Sequence, residues 1–193
     1  MTGSSVRLNL RHATRARHEA VHLHPLFSRL LAADITAPEL EAINLSHLRV
    51  FTQVETTRCS LSLWPELTLQ NRIMALRADL SHAPSGSPPA SKVDPAYVLG
   101  GLYVAFGSAF GAGMIAKSLK RALPDNPITY YDMGKPEVWK LLCARLELLD
   151  TLDIDHAIGG ANAVFDALLL TPPWVNPNAT NIQRPQTPPR HIG

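Results

Sequence analysis

Leu10, Thr14, His18 and Val21 fall at three- and four-residue steps near the start of the chain, so one face of a helix carries all four. An imidazole in that setting can ligate a metal, although a lone helical histidine is also an ordinary packed or surface residue. His22 and His24 stand close by. Arg7, Arg11 and Arg15 repeat every four residues along the flank of the same face. Guanidinium groups in a row can hold the carboxylates of a ligand at its edge, or simply form a solvated surface.

A second concentration lies in the uncharged run from Tyr97 to Ala116, YVLGGLYVAFGSAFGAGMIA. About twenty apolar residues suffice to cross a bilayer. The glycines at 100, 101, 107, 111 and 113 argue for a buried helix instead. Each costs roughly 1 kcal/mol of helix propensity against alanine and is kept where something approaches the backbone. Gly107 and Gly111 are one turn apart and open a window free of side chains, for another helix or for a flat ligand. A histidine ligand, an edge of arginines and a bare helix backbone together describe what a haem needs: one axial position held by protein, the other open.

The elements that must position these residues are helical. A helix is predicted from about Ser5 to His22, capped by Ser4 or Ser5, with Pro25 breaking it before a short helix over 26–33. Thr36, Pro38 and Glu39 announce a helix to about Ser60 that buries Leu40, Ile43, Leu48 and Phe51. Pro65 opens another to about His82, and residues 83–91 form a loop. Asp94 and Pro95 launch the glycine-bearing helix, expected to run to Leu123; Pro136 starts the next, and Asp153 or Asp155 caps the last, over 158–170. No long stretch alternates with period two, so the expectation is an all-α domain of six or seven helices over 1–170. The tail, 171–193, is rich in proline and expected to be extended or disordered.

Composition narrows the function classes. With 193 residues and a net charge of +2, the chain suits one domain and has no basic surplus calling for nucleic acid. Cys59 and Cys143 lack metal or redox spacing and read as packed, reduced thiols; with no secretion signal visible, a cytoplasmic protein without membrane attachment is expected. No phosphate loop, CxxC pair, HExxH or Ser-His-Asp order is present.

The segment LRHATRARH, Leu10 to His18, resembles the first-helix motif of haem oxygenases, Leu-(Lys/Arg)-x-x-Thr-x-x-x-His. LYVAFGSAFG, Leu102 to Gly111, resembles the distal-helix motif LYVxEGSxLG of the bacterial members, and weaker likeness at 72–80 (RIMALRADL) and 160–165 (GANAVF) extends the resemblance over roughly 5–170. It implies a single-domain multi-helix bundle in which His18 is the proximal iron ligand and Arg11 and Arg15 pair with the haem propionates. Thr14, Phe106 and Phe110 would contact the haem, while Gly107, Ser108 and Gly111 would line its distal, catalytic side. Haem would be cofactor and substrate together, opened to biliverdin, Fe(II) and CO with O2 and electrons from an external ferredoxin- or flavin-type reductase. The chain departs from the pattern at Phe106, where the motif has an acid, and at Phe110, where it has leucine. Ser108 takes the place of the aspartate of mammalian-type enzymes, and His22 stands where an acid often follows the proximal histidine by one turn. A haem- or tetrapyrrole-binding protein without turnover, its distal side closed by Phe106, is the second reading.

Overall fold

Thr36 opens the longest described helix by the device expected of it: its hydroxyl accepts from the Glu39 N–H at 3.4 Å, and the Glu39 carboxylate accepts from the Thr36 N–H at 2.8 Å. The computed structural model describes residues 5–84, 88–134 and 136–170; the predicted tail lies outside them. Within that range there are eight α-helices: α1 Val6–Leu23, α2 Ala37–Ser60, α3 Gln70–Ala78, α4 Pro95–Gly107, α5 Ala112–Ala122, α6 Thr129–Asp132, α7 Trp139–Leu146 and α8 Thr151–Leu169. Short 3₁₀ turns occupy Phe27–Leu31, Pro65–Leu67 and Ser108–Phe110, and no strand occurs among the described residues.

The all-α expectation holds, with more helices than the six or seven predicted, for physical reasons. The long helix predicted over 94–123 is broken at its glycines into two rods inclined by 51°. No single helix among the described residues is long and apolar enough to cross a membrane. Pro65 starts only a 3₁₀ turn, and α3 begins at Gln70, because the carboxylate of Glu55 draws the Thr68 hydroxyl (2.5 Å) and the Leu69 N–H (3.0 Å) toward α2. Asp150, rather than Asp153 or Asp155, caps α8, accepting from the Asp153 N–H at 3.0 Å. Ser5 does not cap α1 with its side chain; Glu147, at the end of α7, accepts from the first N–H groups of α1 at Val6 (3.0 Å) and Arg7 (3.4 Å) and from the Ser5 hydroxyl. Both cysteines are free, as expected, although Cys59 is exposed rather than packed.

The bundle is organised on α8, which packs against α4, α1 and α2. Its contact with α4 is backbone to backbone. A Cβ at Gly100 would lie 1.8 Å from the Ala157 carbonyl oxygen, and one at Gly160 would lie 1.8 Å from the Tyr97 carbonyl oxygen. The two contacts are reciprocal, each glycine presenting its Cα–H side to a carbonyl of the other helix. Leu102, Ala105, Ala157 and Ala161 are fully buried around this crossing. The glycines of the run therefore fall into two groups. Gly100 serves helix packing, whereas a Cβ at Gly111 or Gly113 would meet nothing within 4 Å.

Gly100→Ala and Gly160→Ala should each destabilise by about 3 kcal/mol or more, because a methyl group must displace backbone. Gly111→Ala should leave the urea midpoint almost unchanged, and denaturation of the three variants checks the contrast. Arg58 and Glu55 form a buried two-point pair, Nη2 to Oε1 at 2.8 Å and Nε to Oε2 at 2.9 Å. Burial opposes ionisation of Glu55, but the donors Arg58, Thr68 and Leu69 outweigh it and hold the pKa below the ordinary value. This contribution is present above the unfolded carboxylate pKa and is lost as pH falls through the lower folded value. Glu55→Ala, which strands the Arg58 charge, should cost roughly 3–5 kcal/mol in denaturant titrations at pH 7.

Candidate functional site

α1 turns Leu10 and Thr14 into the bundle and leaves Arg11, Arg15, His18 and His22 exposed. The Thr14 hydroxyl donates to the Leu10 carbonyl at 2.8 Å, so its hydrogen bond is spent within its own helix. Arg15 pairs with Glu19 at 2.7 Å, both side chains largely in solvent. The His18 ring meets Phe165 of α8 edge-on at 5.9 Å, and its Nε2 lies 3.3 Å from the Nε2 of His22. Desolvation by these neighbours lowers the His18 pKa; His22 and Arg11 add repulsion and Glu19 opposes them. At neutral pH the ring therefore offers a lone pair.

The second candidate region is the bend between α4 and α5. An ideal Cβ on Gly107 would lie 3.8 Å from the indole of Trp139, an ordinary van der Waals contact, so a flat aromatic group already packs on the bare backbone there. Trp139 sits at the start of α7, with Phe110 edge-on at 4.8 Å and Tyr103 at 5.6 Å. Burial raises the Tyr103 pKa while the charges of Arg11 and Arg7 lower it. Of the residues singled out in the sequence, the structure gathers Gly107 and Phe110 around Trp139. His18 lies further along α1, against α8.

Phe106 points elsewhere. It is 2% exposed, and the Arg72 guanidinium stands 5.9 Å from its ring centroid. Phe110 is the phenylalanine of the motif that reaches solvent, at 45% exposure. Ser108 is exposed; its hydroxyl lies 2.9 Å from the Ala105 carbonyl, to which it donates, and 3.0 Å from the Tyr130 hydroxyl.

Sequence reasoning missed a buried polar group behind the bend. Tyr130 and Arg72 are 3% and 4% exposed, and Arg72 makes no salt bridge among the described residues. Its Nη2 donates to the Gly134 carbonyl at 3.3 Å, while its Nη1 has no hydrogen-bond partner among the described residues. Asp79 accepts from the Thr129 and Tyr130 N–H groups at 2.7 and 2.8 Å, and thereby fixes the tyrosine under the bend. His47 closes the group, its ring between Phe27, Phe51 and Tyr130. Two arginines in RIMALRADL, Arg72 and Arg77, and a TYY triplet carry no pattern that points to such a cluster. Trp139 likewise reads in sequence as one more apolar position of its helix.

Comparison with known proteins gives the fold a context. No family model matches the sequence, and no curated protein is significantly similar to it. Among solved structures, the chain is similar to haem oxygenase-1 from the cyanobacterium Synechocystis, crystallised in complex with haem. The TM-score is 0.64 at 15% identity, over 86% of this chain and 90% of that one. It is similar also to haem oxygenase from Leptospira interrogans, with TM-score 0.64 and 16% identity over 86% of this chain and 97% of that one. The fold is the all-α haem oxygenase fold.

Burial presses the pKa of His47 down to about 4, with its bond to the Ile43 carbonyl acting in the opposite sense. The unfolded chain takes up this proton near pH 6.5, so stability falls as pH drops through the window from 6.5 to about 4. The loss should reach roughly 3 kcal/mol, the free-energy equivalent of that separation. Urea denaturation as a function of pH measures it, and His47→Leu should lack this component.

Proposed function

We propose that this protein binds haem through His18 and opens it to biliverdin, Fe(II) and CO, with O2 and electrons from an external ferredoxin- or flavin-type reductase. The observation that carries this reading is the backbone left bare at Gly111, one turn beyond Gly107, on which the planar indole of Trp139 already lies. It lies on a fold shared with a protein crystallised with haem.

The donor set suits the group. His18 is exposed and its lowered pKa keeps the imidazole neutral, as an iron ligand must be. Arg11 is exposed on the same helix, and Arg15, whose pair with Glu19 lies largely in solvent, can exchange Glu19 for a haem carboxylate at little cost. Haem itself, when bound, supplies the iron that activates oxygen and the ring that is opened. The protein's own part is to bind, to orient and to supply protons. Phe110 and Trp139 offer apolar planes beside the glycines and keep water from that side. Ser108 presents a hydroxyl at the bend, backed by Tyr130, and is the side chain from which a proton can be passed to a ligand lying at the bend. Thr14 serves the helix through its bond to Leu10, and Phe106 serves the core against Arg72.

One observation favours a second reading, binding of haem or another tetrapyrrole without turnover. The residue before Gly107 is a phenylalanine turned into the core, so the bend carries hydroxyls at Ser108 and Tyr130 in place of a carboxylate. Titration with hemin, followed by reductant in air with catalase present, separates the two. A Soret band that gives way to a verdin band with release of CO establishes the oxygenase; a Soret band that survives reduction establishes the binding protein. His18→Ala should weaken hemin binding by about tenfold or more, and wild-type binding in that variant would remove His18 as the ligand.

A further inference from the structure

We propose that His18 and His22 form a second kind of site on the exposed face of α1, a two-imidazole chelate for a borderline divalent transition ion such as Zn2+. Residues four apart on a helix stand one above the other, and here both rings turn the same nitrogen toward a common point. Their Nε2 atoms are 3.3 Å apart. A tetrahedral ion with bonds of about 2.0–2.1 Å sets its ligand nitrogens roughly 3.3 Å from one another, so the spacing is that of two corners of its coordination shell. In the metal-free protein one ring donates its Nε2–H to the other; on metal binding that ring takes the Nδ1–H tautomer, and the ion binds the two Nε2 lone pairs.

The surroundings suit an ion arriving from solvent. Both side chains are exposed, so binding needs no opening of the core. The rings meet edge to face, 4.5 Å between centroids, with Phe165 edge-on to His18 at 5.9 Å limiting the freedom of that ring. No group of three or more His, Cys, Asp or Glu side chains among the described residues could hold a metal, so water completes the shell. On the haem reading, ion and haem iron draw on the same His18 imidazole and exclude one another. The chelate itself does not depend on that reading.

The test uses the full chain without haem and Zn2+ alone, by isothermal titration calorimetry at pH 7.5. One ion per chain is expected, with affinity reduced by about tenfold or more in His18→Ala and equally in His22→Ala, as loss of one of two ligands requires. His12→Ala, on the same helix, and His156→Ala, on α8, should bind as wild type. Both test positions are exposed, so the variants keep their fold, and unchanged thermal denaturation verifies this. Absence of zinc binding, or binding that survives both ligand substitutions, overturns the proposal. Hemin binding by the same preparations is measured separately, so failure of the haem reading and failure of the chelate give different results.

Discussion

The structure depends on one approach, that of α4 to α8 at Gly100 and Gly160. Two carbonyl groups, of Ala157 and Tyr97, occupy the space that side chains would need. Nothing but hydrogen fits there, so the crossing sets the distance and register of the two helices together. α1 is then laid on α8, with His18 against Phe165 and Arg17 paired with Asp166 at 2.8 Å. α7 is pinned at its far end by Glu147, which serves as the cap of α1. Each helix carrying a candidate functional residue is thus referred to the same crossing.

The bend at Gly107–Gly111 is the second consequence. α4 is held rigidly at Gly100, whereas a few residues later the chain turns by 51° through a 3₁₀ turn into α5. A glycine-bearing run packed along its whole length would have been an ordinary buried helix. Released at its C-terminal end, it exposes main chain at Gly111 and Gly113 and places the Ser108 hydroxyl at the elbow. Behind the elbow lies Arg72, a cation with no carboxylate partner among the described residues, cushioned by the faces of Phe106 and Tyr130 at 5.9 and 6.0 Å. A charge kept in that position polarises the Tyr130 hydroxyl and, through it, Ser108.

The two candidate regions differ in character. The α1 region is wet and ionic, with arginines, imidazoles and a solvent-exposed ion pair, and so adapts readily to an incoming ligand. The α4–α5 region is aromatic and main-chain, built by Trp139, Phe110 and glycine, and discriminates by shape.

Much of this was legible in the sequence, because the relevant signals are local. Helix periodicity, the Thr36–Glu39 box and the Asp94–Pro95 cap depend on neighbours a few residues apart, so the all-α class and most helix starts follow from the chain alone. The His18 and glycine motifs are local as well, and the face of α1 that carries His18 is visible in the spacing. What spacing could not distinguish is which glycines carry packing and which stay bare, since Gly100 and Gly111 read alike until a Cβ on the first is seen to fall 1.8 Å from the Ala157 carbonyl oxygen and one on the second to meet nothing within 4 Å. The inward turn of Phe106, the capping of α1 by Glu147 across 141 residues, and the arrival of Trp139 on Gly107 were equally decided by tertiary contact. The physical reason is the same in each case: the partner is distant in sequence, and only close packing determines which group fills a given space.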